Sequence, residues 1–198
     1  MKQKIAVIDY NAGNVQSVMY ALERYDVDAV LTRDPDVITK ADKVLFPGVG
    51  EASTTMAFLR SFGFDRLIPS LTQPVLGICL GLQLLCTHSE ENDTTCLNIL
   101  PAMVKKFSTG NGSFKVPHMG WNQIVFDHSS WIPSVLNGQY VYFVHSYYAT
   151  INPYTIAQCN YEVPFSAIIE KNNFFATQFH VEKSGPVGLK ILESFLKL

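Results

Sequence analysis

The sequence is short of charge. Of its 198 residues only 16% are Asp, Glu, Lys or Arg, against 47% hydrophobic and 12% aromatic. Globular domains average about 25% charged. The 15 basic and 17 acidic side chains leave a net charge of −2, which offers no electrostatic footprint for nucleic acid or an anionic membrane surface. Long apolar runs are missing too. The longest, Val75 to Cys86, is interrupted by Gln83 and falls short of the ~18 residues of a membrane-spanning helix. The run Ile5 to Ile8 behind Lys2 and Lys4 stops at Asp9, too soon for a signal-peptide core of ~7–15 residues, so a cytoplasmic location is expected. Cysteine is sparse. Cys79, Cys86, Cys96 and Cys159 form no C-x-x-C pair and have no histidine at zinc-finger spacing, which points to free thiols rather than a disulfide framework or a structural zinc. Length predicts a single domain over residues 1–198.

Against these absences stands a clear alternation. Lys4 to Asp9 reads as a strand, and Val15, Val18, Met19 and Leu22 then recur at helical spacing. Asp28–Leu31 and Lys43–Phe46 are strand-like, Ser53–Phe62 helical, Pro74–Ile78 strand-like and Leu80–Thr87 helical again. Strands alternating with helices predict a doubly wound, mostly parallel α/β sheet flanked by helices. From Ala102 onward strand signals dominate: Trp121–Phe126, Tyr140–Tyr148, Thr155–Asn160, Phe165–Ile169 and Phe174–Phe179. Asn172-Asn173 between the last two predicts a hairpin turn. A closing helix is expected from about Pro186 to Leu196. The second half thus adds an antiparallel elaboration to the doubly wound core.

Three segments carry chemistry. Gly77-Ile78-Cys79-Leu80-Gly81 sits where a strand meets a helix and has the G-x-nucleophile-x-G pattern of a nucleophile elbow. The turn is sharp, and neighbours bearing a Cβ would collide. Cys79 would stand at the carboxyl end of a parallel strand, where open α/β sheets bind ligands, and at a helix N-terminus, which favours a thiolate. The amide of Leu80 can face a developing oxyanion. The plain alternative is a small cysteine in a tight joint. A thiol nucleophile needs a base held in one tautomer, and His180 has an acid two residues on, Glu182. On an extended segment the two face the same side; otherwise His180 is a strand-end histidine with an incidental neighbour. Pro47-Gly48-Val49-Gly50 follows a strand as the elbow does, and its glycines let the Val49 peptide turn its N–H inward. It lacks the Lys-Ser/Thr of a P-loop.

The segments GICLGLQLL (Gly77–Leu85), PGVG (Pro47–Gly50) and FHVEKSG (Phe179–Gly185) resemble those of the class I, triad-type glutamine amidotransferases. PHMGWN (Pro117–Asn122), YFVHSY (Tyr142–Tyr147) and DYNAGNVQSV (Asp9–Val18) narrow the resemblance to the glutaminase subunits of histidine biosynthesis. It spans the chain from Ile5 to Gly185. The resemblance implies the class I amidotransferase fold and glutamine as substrate, with Cys79 as nucleophile, His180 as base and Glu182 as its orienter. It implies an oxyanion hole from the amides of Val49 and Leu80. Gly50, Gln83, Glu91, Ser146 and Tyr147 match positions that hold the glutamine head group. Ammonia would pass to a (βα)₈-barrel cyclase subunit, the expected heterodimer partner, and Asn14, Met119, Trp121, Tyr142 and Lys183 match positions facing it. No metal or organic cofactor is implied. One departure is Val181, where the family usually has Pro; the geometry of His180 and Glu182 is expected to survive it.

Without the resemblance, Gln83 reads equally as a polar residue on an exposed helix side, Met119 and Trp121 as core, and Lys183 as a solvated charge. Two other functions fit the elbow: a stand-alone Cys–His hydrolase, or a binding module whose triad is inactive. Gln83 and PHMGWN speak against the first, intact Glu182 and both glycine loops against the second. The low charge has a location. Phe107 to Ala149 hold only Lys115 and Asp127 as charged side chains but ten of the 24 aromatics, the composition of a surface that a partner covers.

Overall fold

The computed structural model describes residues 2–10, 13, 15–108, 114–127 and 129–198. The expected alternation is present. Strand β1 (Gln3–Ile8) leads to helix α1 (Val15–Leu22), β2 (Val27–Thr32), α2 (Pro35–Lys40), β3 (Lys43–Gly48), α3 (Ala52–Ser61), α4 (Phe64–Ser70), β4 (Val75–Cys79) and α5 (Leu80–Leu85). The short strands β5 (His88–Ser89) and β6 (Thr94–Thr95) follow, then β7 (Met103–Lys106), β8 (His118–Gln123), β9 (Tyr140–His145), β10 (Tyr147–Ala149), β11 (Thr155–Asn160), β12 (Pro164–Lys171) and β13 (Phe174–Thr177), with α6 (Gly185–Leu196) closing the chain.

The central sheet has seven strands in the order β11-β12-β13-β4-β3-β1-β2. The run from β13 to β2 is parallel, whereas β11, β12 and β13 pair antiparallel. This is the doubly wound sheet with the antiparallel elaboration that the sequence predicts. Alternate residues feed opposite sides: Ile5 and Val7 pack with α1, α6 and β9, while Ala6 and Ile8 pack with α2 to α5. Burial on both faces explains why β3 and β4 read as continuous apolar runs rather than alternating ones.

Local chemistry sets several ends. Asp34 caps α2 by accepting from the Asp36 amide, with Pro35 in the first turn. The carboxylate of Glu51 caps α3 through the amides of Ser53 and Thr54. The Asn172-Asn173 turn takes a positive φ of 56° at Asn172 and pairs Lys171 with Phe174, as expected of a two-residue hairpin. Helices α2 and α4 were not apparent in the sequence; six and seven residues are too short to show a periodicity. Four expected elements are placed differently. The helix after Cys79 stops at Leu85, the strand before His180 stops at Thr177, the strand expected over Trp121–Phe126 runs from His118 to Gln123, and Tyr140–Tyr148 is broken at Ser146. Ser146 is the point where the chain leaves the β8–β9 ribbon and joins a second, four-stranded sheet, β10-β7-β5-β6.

Candidate active site

The carboxyl ends of three adjacent parallel strands build the site. In the β3–β4 ladder Gly48 lies opposite Cys79. In the β13–β4 ladder Thr177 lies opposite Ile78, so the chain leaving β13 passes directly beside the cysteine. Open α/β sheets bind their ligands outside the carboxyl ends of such strands. Cys79 itself joins β4 to α5 with φ 54° and ψ −105°, a strained conformation for a residue with a side chain. The glycines around it are spaces for backbone. A Cβ on Gly81 would lie 1.9 Å from the Phe46 carbonyl oxygen, and one on Gly48 2.7 Å from the Leu80 Cβ. The elbow is therefore a close contact of β3, β4 and α5.

Cys79 is 6% exposed. Its sulfur lies 3.9 Å from the Val144 carbonyl oxygen and 3.9 Å from Nε2 of Gln178. His180 and Glu182 are buried, and the imidazole Nδ1 meets the carboxylate Oε1 at 2.7 Å. This contact is not made along an extended strand, as the sequence suggested. His180 is extended, but Val181–Lys183 forms a single 3-10 turn, and that turn folds Glu182 back onto the ring. The fold anchors both ends of the segment: the His180 amide donates to the Tyr142 carbonyl (3.1 Å), and the Ser184 hydroxyl to the His180 carbonyl (2.6 Å). Val181, in place of the family's usual proline, is wholly buried and leaves the His180–Glu182 contact intact. Burial disfavours a charged His180, but the neighbouring Cys79 sulfur and Glu182 carboxylate outweigh it and push the imidazole up to about 10. A base whose charged form is favoured between a sulfur and a carboxylate is suited to hold the proton of a thiol.

A cavity of about 330 Å³ opens over the cysteine. Val49, Gly50, Leu80, Gln83, Glu91, Ser146, Tyr147 and His180 all line it, so every residue expected to touch glutamine is brought together. Gln83 is buried, not on an exposed helix side; its Nε2 donates to the Tyr147 carbonyl at 2.7 Å and reaches the Gln178 Oε1 at 3.3 Å. Glu91 accepts from the Ala52 amide at 2.7 Å. Burial raises its carboxyl pKa, against the lowering effect of that bond. Gly50 adopts φ 119°, open only to glycine, at the end of the Pro47–Gly50 loop.

Met119 and Trp121 are not core; they are 63% and 56% exposed. Trp121 packs edge-on against Tyr142, 5.9 Å between centroids, across the β8–β9 ladder. Lys183 is exposed nearby, and Asn14 lies outside the described residues. Sequence reasoning missed three residues close to the cavity: Gln178, His118 and His145. Gln178 was visible as a polar side chain, next to Thr177, in the otherwise apolar run Phe174 to Phe179. Among the described residues, no group of three His, Cys, Asp or Glu side chains is placed to hold a metal ion, and no helix is long and apolar enough to cross a membrane. All four cysteines are free and buried.

A strained cysteine elbow backed by a buried His–Glu pair on a mostly parallel sheet defines a class I glutamine amidotransferase. The family described as glutamine amidotransferase class-I matches residues 6–198. Solved structures share the fold: a putative GMP synthase component from Thermoplasma acidophilum (TM-score 0.73, 20% identity, covering 100% of this chain and 94% of that one) and a glutamine amidotransferase (TM-score 0.75, 16% identity, covering 98% and 97%). Nearer relatives carry the name imidazole glycerol phosphate synthase subunit HisH. That of Bacteroides fragilis (strain YCH46) is 53% identical over 195 residues, 98% of this chain and 100% of the relative. That of Escherichia coli (strain K12) is 43% identical over 196 residues, 98% and 99%. The chain belongs to the class I glutamine amidotransferases and, within them, to the HisH subunits.

Proposed function

We propose that this chain, as a single domain, is the glutaminase subunit of an imidazole glycerol phosphate synthase. The observation that carries the reading is the convergence of Cys79, His180 and Glu182 under a cavity lined by Gln83, Glu91, Ser146 and Tyr147. His180 takes the Cys79 proton through Nε2 while Glu182 holds Nδ1–H and stabilises the imidazolium. The sulfur attacks the carboxamide carbon of glutamine. The amides of Leu80 and Val49 receive the oxyanion. On collapse the C–N bond breaks, His180 returns the proton to the leaving nitrogen, and ammonia departs from a glutamyl thioester. A water molecule deprotonated by His180 then hydrolyses the thioester, releasing glutamate and the free thiol.

Ammonia passes to a (βα)₈-barrel cyclase subunit, where it is used to form imidazole glycerol phosphate and the aminoimidazole carboxamide ribonucleotide. The face carrying Met119, Trp121, Tyr142 and Lys183 suits that partner, because its aromatic surface is exposed here and poor in charge. Glutamate release, measured with and without a co-expressed barrel subunit, tests the reading. Weak release by the chain alone, rising by orders of magnitude in the complex, is expected. Equal activity in both states would identify a stand-alone hydrolase instead.

A further inference from the structure

Two buried histidines stand outside the chemistry just described. His118 at the start of β8 and His145 at the end of β9 lie opposite each other in the antiparallel ladder, 3% and 6% exposed. They sit among aromatic rings. His118 stacks on Tyr161 at 4.0 Å and on Phe143 at 4.9 Å between centroids, and both histidines meet Phe107 and Phe165. A charge there is expensive. Burial holds His118 at about 4. Burial, with smaller effects from the His118 and His180 rings and against the bond to Tyr147, takes His145 down to about 3. Both rings are neutral at pH 7.

A neutral imidazole has one donor and one acceptor nitrogen, so the contacts dictate the tautomers. His145 Nδ1 lies 2.8 Å from the Tyr147 carbonyl oxygen. A carbonyl only accepts, so Nδ1 carries the hydrogen and Nε2 is the acceptor. His118 Nδ1 lies 3.1 Å from that Nε2, so His118 also carries its hydrogen on Nδ1. Its own Nε2 then accepts, and the group in reach is Nδ2 of Asn122 at 3.5 Å, a donor. The links agree along the row and end on the Tyr147 carbonyl. That same oxygen accepts from Gln83 Nε2 at 2.7 Å. One residue back, the Ser146 carbonyl accepts from the Phe107 amide at 3.0 Å. The Ser146–Tyr147 segment, which lines the cavity beside Cys79, is thus held by three donors.

We propose that His118 and His145 are positioning residues: locked as Nδ1–H tautomers, they orient the Tyr147 carbonyl against Gln83 and so set the shape of the glutamine subsite. The inference rests on glutamine being the substrate. It also gives strand β8 a double task, since His118 and Asn122 point inward while Met119 and Trp121 point out.

Two substitutions at His118 separate positioning from packing. His118→Phe keeps the ring in the aromatic stack but removes the donor to His145. His118→Asn loses the ring but places an amide N–H where Nδ1 stood. In the complex with the barrel subunit, His118→Phe should raise the KM for glutamine about tenfold, the scale of one buried hydrogen bond, with a smaller change in kcat. His118→Asn should restore most of it despite a lower melting temperature. The reverse order, with Phe near wild type and Asn impaired, would show a packing role and overturn the proposal. Nitrogen-15 spectra of the unmutated protein test it without any variant: both rings should report Nδ1–H, and Nε2–H on either ring refutes it. If the unmutated complex releases no glutamate, the functional reading fails, while the spectra still decide the tautomers separately.

Discussion

Gly81→Ala is the perturbation that most directly tests how the elbow is built. The added methyl would sit 1.9 Å from the Phe46 carbonyl oxygen, where contacts under 3.0 Å do not occur, so α5 and β3 must separate by about 1.1 Å. The obstacle is backbone on a buried central strand, which cannot rotate aside as a side chain would. Overpacking of this kind costs about 1–3 kcal/mol, and the rigidity of the partner atom argues for the upper end. At about 2–4 °C per kcal/mol for a chain of this size, the melting temperature should fall by roughly 6–12 °C. The same shift carries the Leu80 amide and the Cys79 sulfur away from their alignment, and a misplacement of about 1 Å costs on the order of 10²-fold in rate. Steady-state glutamate release by the complex and thermal unfolding of the isolated chain measure the two effects. Gly63→Ala is the control: φ is 73° but nothing lies within 4 Å of its added Cβ, so about 1 kcal/mol of backbone strain is expected with no loss of activity. A Gly81→Ala protein with wild-type kcat/KM and melting temperature would refute the close-contact account of the elbow.

Cys79→Ala should abolish glutamine-dependent synthesis by the complex and leave ammonia-dependent synthesis intact; retained glutamine dependence would remove the triad assignment. Glu182→Gln should cut kcat by roughly 10³–10⁴-fold, because an amide donor at His180 Nδ1 enforces the wrong tautomer, with KM for glutamine little changed. The folded His180 has its pKa raised to about 10, so its stabilisation is complete below about pH 6.5 and is lost as pH rises through 10. In Glu182→Gln that alkaline loss should shrink in denaturant titrations at pH 7, 9 and 10. The signs are opposite for His118 and His145, depressed to about 4 and 3. The unfolded chain takes up protons there first, so stability should fall as pH drops from about 6.5 toward 4, by up to ~1.4 kcal/mol per unit for each ring. His118→Phe should flatten that acid slope in the same titrations. Trp121→Ala should weaken the complex by about 2 kcal/mol or more, as truncation of a central interface aromatic does, without changing the melting temperature of the isolated chain, since the ring is 56% exposed.

Much of the site was legible because it is made of short patterns whose chemistry is local. Gly77 and Gly81 announce backbone contact before any contact is seen, and Asn172-Asn173 announces a hairpin. His180 and Glu182 are two residues apart, within reach of each other along the chain; the expected extended geometry gave way to a 3-10 turn, yet the 2.7 Å contact formed. The short helices α2 and α4 escaped because a turn or two of helix packs through tertiary contacts rather than through its own periodicity. The buried histidines escaped for a related reason: nothing beside His118 or His145 in the chain signals that the two rings will face each other.

By itself, the sequence determined the alternation that winds the sheet, the glycine-flanked cysteine and the low-charge aromatic stretch from Phe107 to Ala149. These depend on residue type and spacing, which are set before folding. Only the tertiary structure decided that β13 runs beside β4 and delivers His180 to Cys79, 101 residues earlier in the chain, that Gln83 points inward, and that Trp121 and Met119 stay outside while His118 between the same strands is buried. Each of these depends on which strands become neighbours and in what register. That choice is made by packing both faces of one sheet at once, and no local pattern contains it.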